Sequence, residues 1–156
     1  MYKILIVDDE SIEREGISFL IEKYKLPLEV AQATNGKTAL EYMRTHPIDI
    51  LLTDVKMPQM DGLELARHTF EKYPDVRILV FSAYGEFEFA KKAMAAQAVS
   101  YLLKPIEVDE FQRVMAQILA RCDELAEKKK DEQQRGEEYR QQLLFRLVTG
   151  TGLGKA

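Results

Sequence analysis

The stretch LLTDVKMPQMDG, residues 51–62, joins an apolar run to an abrupt series of polar and turn-forming residues. The run predicts a strand buried on both faces, because it shows no polar alternation, and it stops on Asp54. A Met-Pro pair and an Asp-Gly turn follow, which is typical of a loop that leads into a helix. Asp54 therefore has three interpretations: a nucleophile, a metal ligand, or the polar residue that ends a strand.

Similar apolar runs occur along the chain, and segments of helical period separate them. The five predicted strands are KILIVDD (3–9), LEVAQAT (28–34), DILLTD (49–54), RILVFSA (77–83) and SYLLKP (100–105). Helices are predicted at 11–24, about 36–46, 62–73 and about 85–96, with a last one starting near Glu107. This alternation predicts a doubly wound (βα)5 fold of the α/β class with a parallel sheet. The second and fifth runs are less continuously apolar, which indicates strands near the sheet edges.

The composition limits the classes of function. The 22 basic and 26 acidic residues give a formal net charge of -4, which does not suggest a footprint for nucleic acid. Cys122 is the single cysteine, so the chain has no internal disulfide, and no secretory signal precedes the first strand. We therefore expect a reducing, cytoplasmic setting. No apolar run is long enough to cross a bilayer, so we expect a soluble protein without membrane contact.

The composition changes abruptly after Leu125. Residues 127–142, EKKKDEQQRGEEYRQQ, contain no aliphatic side chain, which predicts a solvated helix or linker. The heptad spacing of the preceding helix does not continue through this stretch, which favours a helix packed on the sheet over a dimeric coiled coil. Residues 143–148, LLFRLV, then offer apolar side chains with no local cover, which indicates a partner helix or a following domain. The glycines of TGLGKA, 151–156, lack the spacing of a phosphate-binding loop.

Polar side chains stand at the carboxyl ends of four predicted strands, where ligands bind in parallel α/β sheets. They are Asp8, Asp9, Asp54, Ser82 and Lys104. A single acidic residue after a strand is commonly a turn former or a cap, but a set of this kind points to a functional site. Carboxylates held close together need a proton or a cation, and Mg²⁺ is the hard ion best suited to them. Lys104 and Ser82 suit phosphoryl oxygens, and Asp54 is the candidate acceptor because it ends the more central strand.

These residues carry a resemblance to a known family. The set Asp8-Asp9, Asp54 followed by MPQMDG (57–62), Ser82-Ala83, Tyr101 and Lys104-Pro105 resembles the receiver domain of two-component response regulators over residues 1–125. The resemblance implies a flavodoxin-like fold with sheet order 2-1-3-4-5, in which a sensor histidine kinase phosphorylates Asp54. It also implies that Asp9, Asp54 and the carbonyl of Lys56 ligate Mg²⁺, with Asp8 acting through water.

The resemblance also assigns switching roles. Ser82, Ala83 and Lys104 are implied to contact the phosphoryl group, Tyr101 to turn inward on activation, and the bond before Pro105 to be cis. Tyr101 is alternatively an ordinary aromatic of an edge strand.

Two further positions suggest control of phosphoryl lifetime. Lys56 and Tyr84 stand where side chains in this family influence the access of water to the acyl phosphate. We hypothesise that the Tyr84 ring slows hydrolysis, and the alternative is that both residues are plain solvent-facing loop residues.

Residues 82–111 are most similar to receivers whose output is an AraC-type DNA-binding domain. This similarity implies that 126–156 is a helical linker toward an output domain absent from the chain, and that DNA is bound only through that domain. A second copy of the chain is a further partner to consider, either after phosphorylation or through the C-terminal helix.

Other functions are retained as alternatives. One is a stand-alone receiver that signals by protein contact. Another is a Mg²⁺-dependent phosphohydrolase, which is disfavoured because Lys56 stands where a second acid is required. A nucleotide- or flavin-binding domain is also disfavoured, because VDDES rather than a glycine-rich loop follows the first strand. We therefore expect no enzyme activity beyond phosphorylation and dephosphorylation of Asp54 itself.

Overall fold

The computed structural model describes residues 1–95, 97 and 99–150. Strands and helices alternate along the chain in the order β1 (Tyr2–Val7), α1 (Ser11–Lys23), β2 (Leu28–Ala33), α2 (Gly36–Thr45), β3 (Ile50–Asp54), α3 (Gly62–Lys72), β4 (Arg77–Ser82), α4 (Tyr84–Ala93), β5 (Val99–Leu103) and α5 (Val108–Thr149). Each predicted strand and helix is present. The predicted end of the fourth helix, at residue 96, and the segment 151–156 lie outside the described residues.

The strands form one parallel sheet in the order β2-β1-β3-β4-β5, which is the flavodoxin-like arrangement. The prediction of β2 and β5 as edge strands is confirmed. Helices cover both faces of the three central strands, and this is why their apolar runs do not alternate: residues 4–7, 50–52 and 78–81 are 2% exposed or less. The register pairs Asp54 with Phe81 and Ser82 with Leu103, so the strands end side by side at one edge.

Local polar contacts fix where two helices begin. The Asn35 side chain accepts a hydrogen bond from the Thr38 backbone N–H, and the Thr38 hydroxyl lies 3.4 Å from the Asn35 backbone N, which together form a capping box for α2. Asp61 caps α3 by accepting from the N–H groups of Leu63 and Glu64. Both caps follow strands of the sheet, so they set how the chain leaves its carboxyl edge.

The first residue of α2 lies against the loop that follows β3. A Cβ atom on Gly36 would lie 2.6 Å from the Met60 sulfur, so glycine makes room for this side chain. Met60 is half-buried and packs against the main hydrophobic core, whereas Met57 of the same loop is buried. The two methionines therefore attach the loop to the body of the domain.

The chain divides into a unit spanning Met1–Leu119 and a second unit that begins at Ala120. Within the second unit the side chains of 127–142 are all exposed, in agreement with their polar composition. Near the end of α5 several apolar side chains are also exposed, namely Tyr139, Leu144, Phe145, Leu147 and Val148. Among the residues that the structure describes, no helix combines the length and apolar character needed to span a membrane.

Candidate functional site

Three carboxylates meet at the carboxyl edge of the sheet. Asp8 and Asp9 follow β1, and Asp54 is the last residue of β3. Asp8 is 1% exposed and Asp54 is 8% exposed, whereas Asp9 is open to solvent. One carboxylate oxygen from each residue lies within 4.8 Å of the other two. The structure therefore brings together the three acidic residues that the sequence predicts to share a cation.

Backbone N–H groups orient the two buried carboxylates. Asp8 Oδ1 accepts a hydrogen bond of 2.9 Å from the Glu10 N–H, and Asp54 Oδ1 accepts one of 2.8 Å from the Val55 N–H. The Oδ2 atoms of Asp8 and Asp54 lie toward the same ammonium group, that of Lys104. Each carboxylate is thus held by the backbone through one oxygen and presents the other to the site.

Lys104 is the cation of this cluster. Its Nζ lies 3.4 Å from Asp54 Oδ2, 3.6 Å from Asp8 Oδ2 and 4.3 Å from the centre of the Phe81 ring. Its backbone N–H donates to the Ser82 carbonyl over 2.8 Å, which continues the pairing of β4 with β5 beyond the strand end. The ammonium is thereby held over an aromatic face and beside two buried acids.

The acidic residue Glu13 also reaches Lys104, although no role was predicted for it from the sequence. Its Oε1 lies 3.9 Å from the Lys104 Nζ, and its side chain is 37% exposed. Glu13 belongs to the first turn of α1. Glu13 does not stand at the end of a strand. The short spacing between Asp9 and the start of α1 nevertheless indicates that the first turn of α1 lies near the carboxyl edge of the sheet.

Burial sets the protonation behaviour of the cluster. Burial raises the pKa of Asp8 to about 6, with the Asp54 charge adding to the rise and the Glu10 N–H and Lys104 opposing it. Burial likewise raises the pKa of Asp54, against the opposing effect of Lys104. For Lys104, burial favours the neutral form, but Asp54, Asp8 and Glu13 together outweigh it and the pKa is raised. The two buried carboxylates therefore bear a cost of ionisation that a further cation would reduce.

The donor set fits a hard divalent cation such as Mg²⁺. The ligand atoms are carboxylate oxygens, which hard cations prefer, and the buried Asp8 Oδ2 has no hydrogen-bond donor among the described residues. Lys104 balances part of the negative charge of the cluster but lies 3.6 Å from that oxygen, beyond hydrogen-bond length.

The residues predicted to act as switches lie at the ends of β4 and β5. Ser82 is 1% exposed, and its hydroxyl has no hydrogen-bond partner among the described residues. The half-buried Tyr101 ring packs edge-to-face on Phe87 of α4 at 6.1 Å between centres, and burial raises its pKa. Ala83 precedes α4 as its N-cap residue, and the Lys104–Pro105 peptide bond is cis.

An open cleft of about 520 Å³ gives access to the cluster. Its lining residues are Asp9, Glu10, Asp54, Lys56, Met57, Pro58, Ala83, Glu86 and Lys104. Lys56 is therefore brought to the site, with an exposed side chain. Tyr84 is not among these lining residues, and its side chain is 74% exposed. Lys56 thus lines the cleft, whereas Tyr84 directly follows a lining residue, Ala83.

The start of α3 touches the backbone of the candidate acceptor. A Cβ atom on Gly62 would lie 1.8 Å from the Asp54 carbonyl oxygen and 3.0 Å from the Val55 Cα. The Gly62 N–H donates a hydrogen bond of 2.8 Å to the Val55 carbonyl. The sequence indicates a turn at Asp61-Gly62, but the need for glycine comes from this close approach.

Comparisons with known proteins agree with this geometry. A family model described as the response regulator receiver domain matches residues 4–116. The transcriptional regulatory protein YesN of Bacillus subtilis (strain 168) is 41% identical over 121 residues, which is 77% of this chain and 33% of YesN. DegU of Brevibacillus brevis, a transcriptional regulatory protein, is 31% identical over 118 residues, 74% of this chain and 50% of DegU. The chain thus spans between a third and a half of the length of these relatives.

Solved structures of response regulators are also similar to this chain. The REC domain of AraT, a response regulator from Geobacillus stearothermophilus, is 38% identical with a TM-score of 0.71, covering 82% of this chain and 98% of that one. A two component transcriptional regulator AraC from Clostridium phytofermentans is 35% identical with a TM-score of 0.74, covering 80% and 97% respectively.

Proposed function

Since the chain belongs to the response regulator receiver domain family, we propose that it accepts a phosphoryl group on Asp54 from a sensor histidine kinase and passes the signal to a transcriptional output. The observation that carries this proposal is the meeting of Asp8, Asp9, Asp54 and Lys104 at one edge of the sheet. These groups are the ones needed to bind a cation and to neutralise a transferred phosphoryl group.

The chemistry follows from the positions of the side chains. A carboxylate oxygen of Asp54 forms a bond to phosphorus as the bond from phosphorus to the imidazole nitrogen of the kinase's phosphohistidine breaks, and the electron pair of that bond stays on nitrogen. Lys104, with its Nζ 3.4 Å from Asp54 Oδ2, offers charge-assisted hydrogen bonds to the transferred group. The buried Ser82 hydroxyl offers another donor once it rotates toward that group. Catalysis then consists mainly of positioning and charge neutralisation.

A divalent cation completes the charge balance. Asp9, Asp54 and the Lys56 carbonyl would hold Mg²⁺, with Asp8 acting through water, and the ion would supply charge neutralisation for the phosphoryl oxygens. The chain's own contribution is to hold the Asp8 and Asp54 carboxylates in place through the Glu10 and Val55 N–H groups.

Signalling requires a second state that phosphorylation favours. New bonds from the phosphoryl oxygens to Ser82 and Lys104 would stabilise this state, and the half-buried Tyr101 ring would fill the space that Ser82 leaves. Ala83 follows Ser82 in the chain, and its backbone would contact the phosphoryl group. We propose no catalysis on external substrates.

The output is proposed to be an AraC-type DNA-binding domain. In its support, two solved structures of 35% and 38% identity carry the names AraC and AraT, and YesN is a transcriptional regulatory protein. Residues 1–125 would then form the receiver, and 126–156 would be the linker to that domain. We place the protein in the cytoplasm, in keeping with its single cysteine. The second candidate, a stand-alone receiver that acts by protein contact, is favoured by the exposed apolar side chains near the end of α5.

Acetyl phosphate tests the phosphoryl acceptor directly. With Mg²⁺ present, intact mass should show one added phosphoryl group, which EDTA should prevent. The Asp54→Asn variant should gain none. The matched control is Asp109→Asn, the same exchange at an exposed carboxylate of α5, which should be phosphorylated like the wild type. Equal phosphorylation of Asp54→Asn would refute the assignment of the acceptor.

The output proposal needs a separate measurement. The gene that encodes the chain should continue into a helix-turn-helix domain, and the whole protein should bind DNA more tightly after phosphorylation. A stop codon after residue 156 would instead favour the stand-alone receiver.

A further inference from the structure

Among the residues that the structure describes, three acids lie within 4 Å of the Lys104 ammonium, and two of them belong to the proposed acceptor and metal site. The third, Glu13, comes from a different element, α1, and its Oε1 lies 3.9 Å from the ammonium. Asp54 and Asp8 lie at 3.4 and 3.6 Å. These near-equal distances mean that the ammonium is shared among the three acids.

The charge of Glu13 acts on the site beyond this one contact. It contributes to the raised pKa of Lys104 and also to that of Asp8. Glu13 therefore adds negative potential where a phosphoryl group must enter. Its side chain is 37% exposed, so solvent weakens this potential without removing it.

Phosphorylation of Asp54 changes which negative groups attract the Lys104 ammonium. The acyl phosphate carries more negative charge than the carboxylate that it replaces, and its oxygens extend away from the strand end into the cleft lined by Asp9, Lys56 and Lys104. Movement of the Lys104 ammonium toward these oxygens would weaken its contacts with Asp8 and Glu13. Glu13, which holds the ammonium away from the phosphoryl position, opposes this movement.

We infer that Glu13 is a positioning residue that restrains phosphorylation by competing with the phosphoryl group for Lys104. This inference rests on the proposed function, since it concerns the regulation of the same site. Glu13 lowers the rate of phosphoryl uptake and lowers the affinity for anionic analogues of the phosphoryl group. Among the described residues, Glu13 forms an ion pair with Lys104 and none with the acceptor or the metal ligands, so its main effect is through Lys104.

The test compares Glu13→Gln with Glu15→Gln. Glu15 is an exposed acid two residues further along α1, so the same charge is removed on another side of the same helix. With acetyl phosphate and saturating Mg²⁺, Glu13→Gln should be phosphorylated about three- to tenfold faster than the wild type, the range for one unit charge acting over several ångströms at a partly exposed site. Glu15→Gln should stay within about twofold of the wild type at moderate salt.

Two further measurements separate this role from a structural one. Beryllofluoride, an acyl-phosphate analogue, should bind Glu13→Gln more tightly by a similar factor, whereas a damaged fold would lower both rate and affinity. In the Lys104→Met background, or Lys104→Gln if the former does not fold, Glu13→Gln should give less than about a twofold change in beryllofluoride affinity. Glu13 then has no ammonium to hold, and solvent weakens its direct repulsion of the anion.

The outcomes are distinct. The inference would be overturned by equal phosphorylation rates for Glu13→Gln and Glu15→Gln. It would also be overturned if Glu13→Gln tightened beryllofluoride binding as much without Lys104 as with it. A wild type that gains no phosphoryl group on Asp54 would instead overturn the proposed function itself.

Discussion

Replacing Gly62 with alanine would put a methyl group where backbone already lies. The added Cβ would stand 1.8 Å from the Asp54 carbonyl oxygen and 2.8 Å from its carbonyl carbon. An ordinary contact needs more than 3.0 Å, so the start of α3 and the end of β3 must separate by more than an ångström. Both neighbours are backbone atoms, and no flexible side chain can move to relieve the contact.

The cost follows from this geometry. Overpacking in a dense core typically costs 1–3 kcal/mol, and about 1 kcal/mol more is expected because backbone must move. Alanine's better helix propensity returns less than about 1 kcal/mol at a first helical position. We expect Gly62→Ala to lose about 1–4 kcal/mol of unfolding free energy. Phosphoryl uptake should also fall, by up to about 100-fold, because displacement of the acceptor by an ångström spoils in-line attack.

Urea denaturation measures the first effect and intact mass after acetyl phosphate treatment measures the second. With a urea dependence of about 2 kcal/mol/M, the midpoint should fall by roughly 0.5–2 M. The control is Gly16→Ala, within α1, where nothing lies within 4 Å of the added Cβ. That variant should be unchanged or more stable by up to about 1 kcal/mol. If Gly62→Ala were as stable and as readily phosphorylated as the wild type, the close approach would not exist in solution.

Three further predictions concern the site. Burial holds the pKa of Asp8 at about 6 against 3.8 for the free side chain, so its contribution to stability is present at low pH and is lost as pH rises through about 6. In EDTA, Asp8→Asn should therefore be more stable than the wild type at pH 7.5, by at most about 3 kcal/mol. The urea midpoints of the two proteins should converge as the pH falls toward about 4. A difference between the midpoints that does not depend on pH would contradict this. Lys104→Met removes the cation beside two carboxylates, so calorimetry should show Mg²⁺ binding tightened about tenfold, and unchanged or weaker binding would count against the electrostatic account. Tyr84 follows Ala83, which lines the cleft, so Tyr84→Ala should shorten the lifetime of the phosphorylated protein by admitting water, whereas Phe89→Ala, which removes another exposed aromatic from α4, should not. Equal lifetimes for the two variants would remove Tyr84 from the mechanism.

The fold could be predicted because its main signals are local. The apolar runs of β1, β3 and β4 mark strands covered on both faces, and the weaker runs of β2 and β5 mark the edges. Strand ends of parallel neighbours share an edge, which is why Asp8, Asp9, Asp54 and Lys104 are found together. Each of these inferences depends only on residue types and strand direction.

What the sequence did not supply depends on how elements pack. Glu13 reaches Lys104 because of the angle at which α1 lies over the sheet, and no periodicity encodes that angle. The Gly62 contact depends on how closely α3 approaches β3. The exposure of the Tyr84 ring depends on the path of the backbone into α4. In each case the contacts of the residue depend on how elements pack in three dimensions, which local sequence patterns do not encode.

The loop after Asp54 has a chemical vulnerability that its packing explains. Met60 is half-buried, and its sulfur lies so close to Gly36 that a Cβ there would be only 2.6 Å away. Oxidation to the sulfoxide adds an oxygen to this sulfur and makes the side chain polar, so it no longer fits against the first turn of α2. Met57, which is 8% exposed, is shielded from the same reaction. Oxidative damage to this loop would therefore begin at Met60, and methionine sulfoxide reductases reverse this modification.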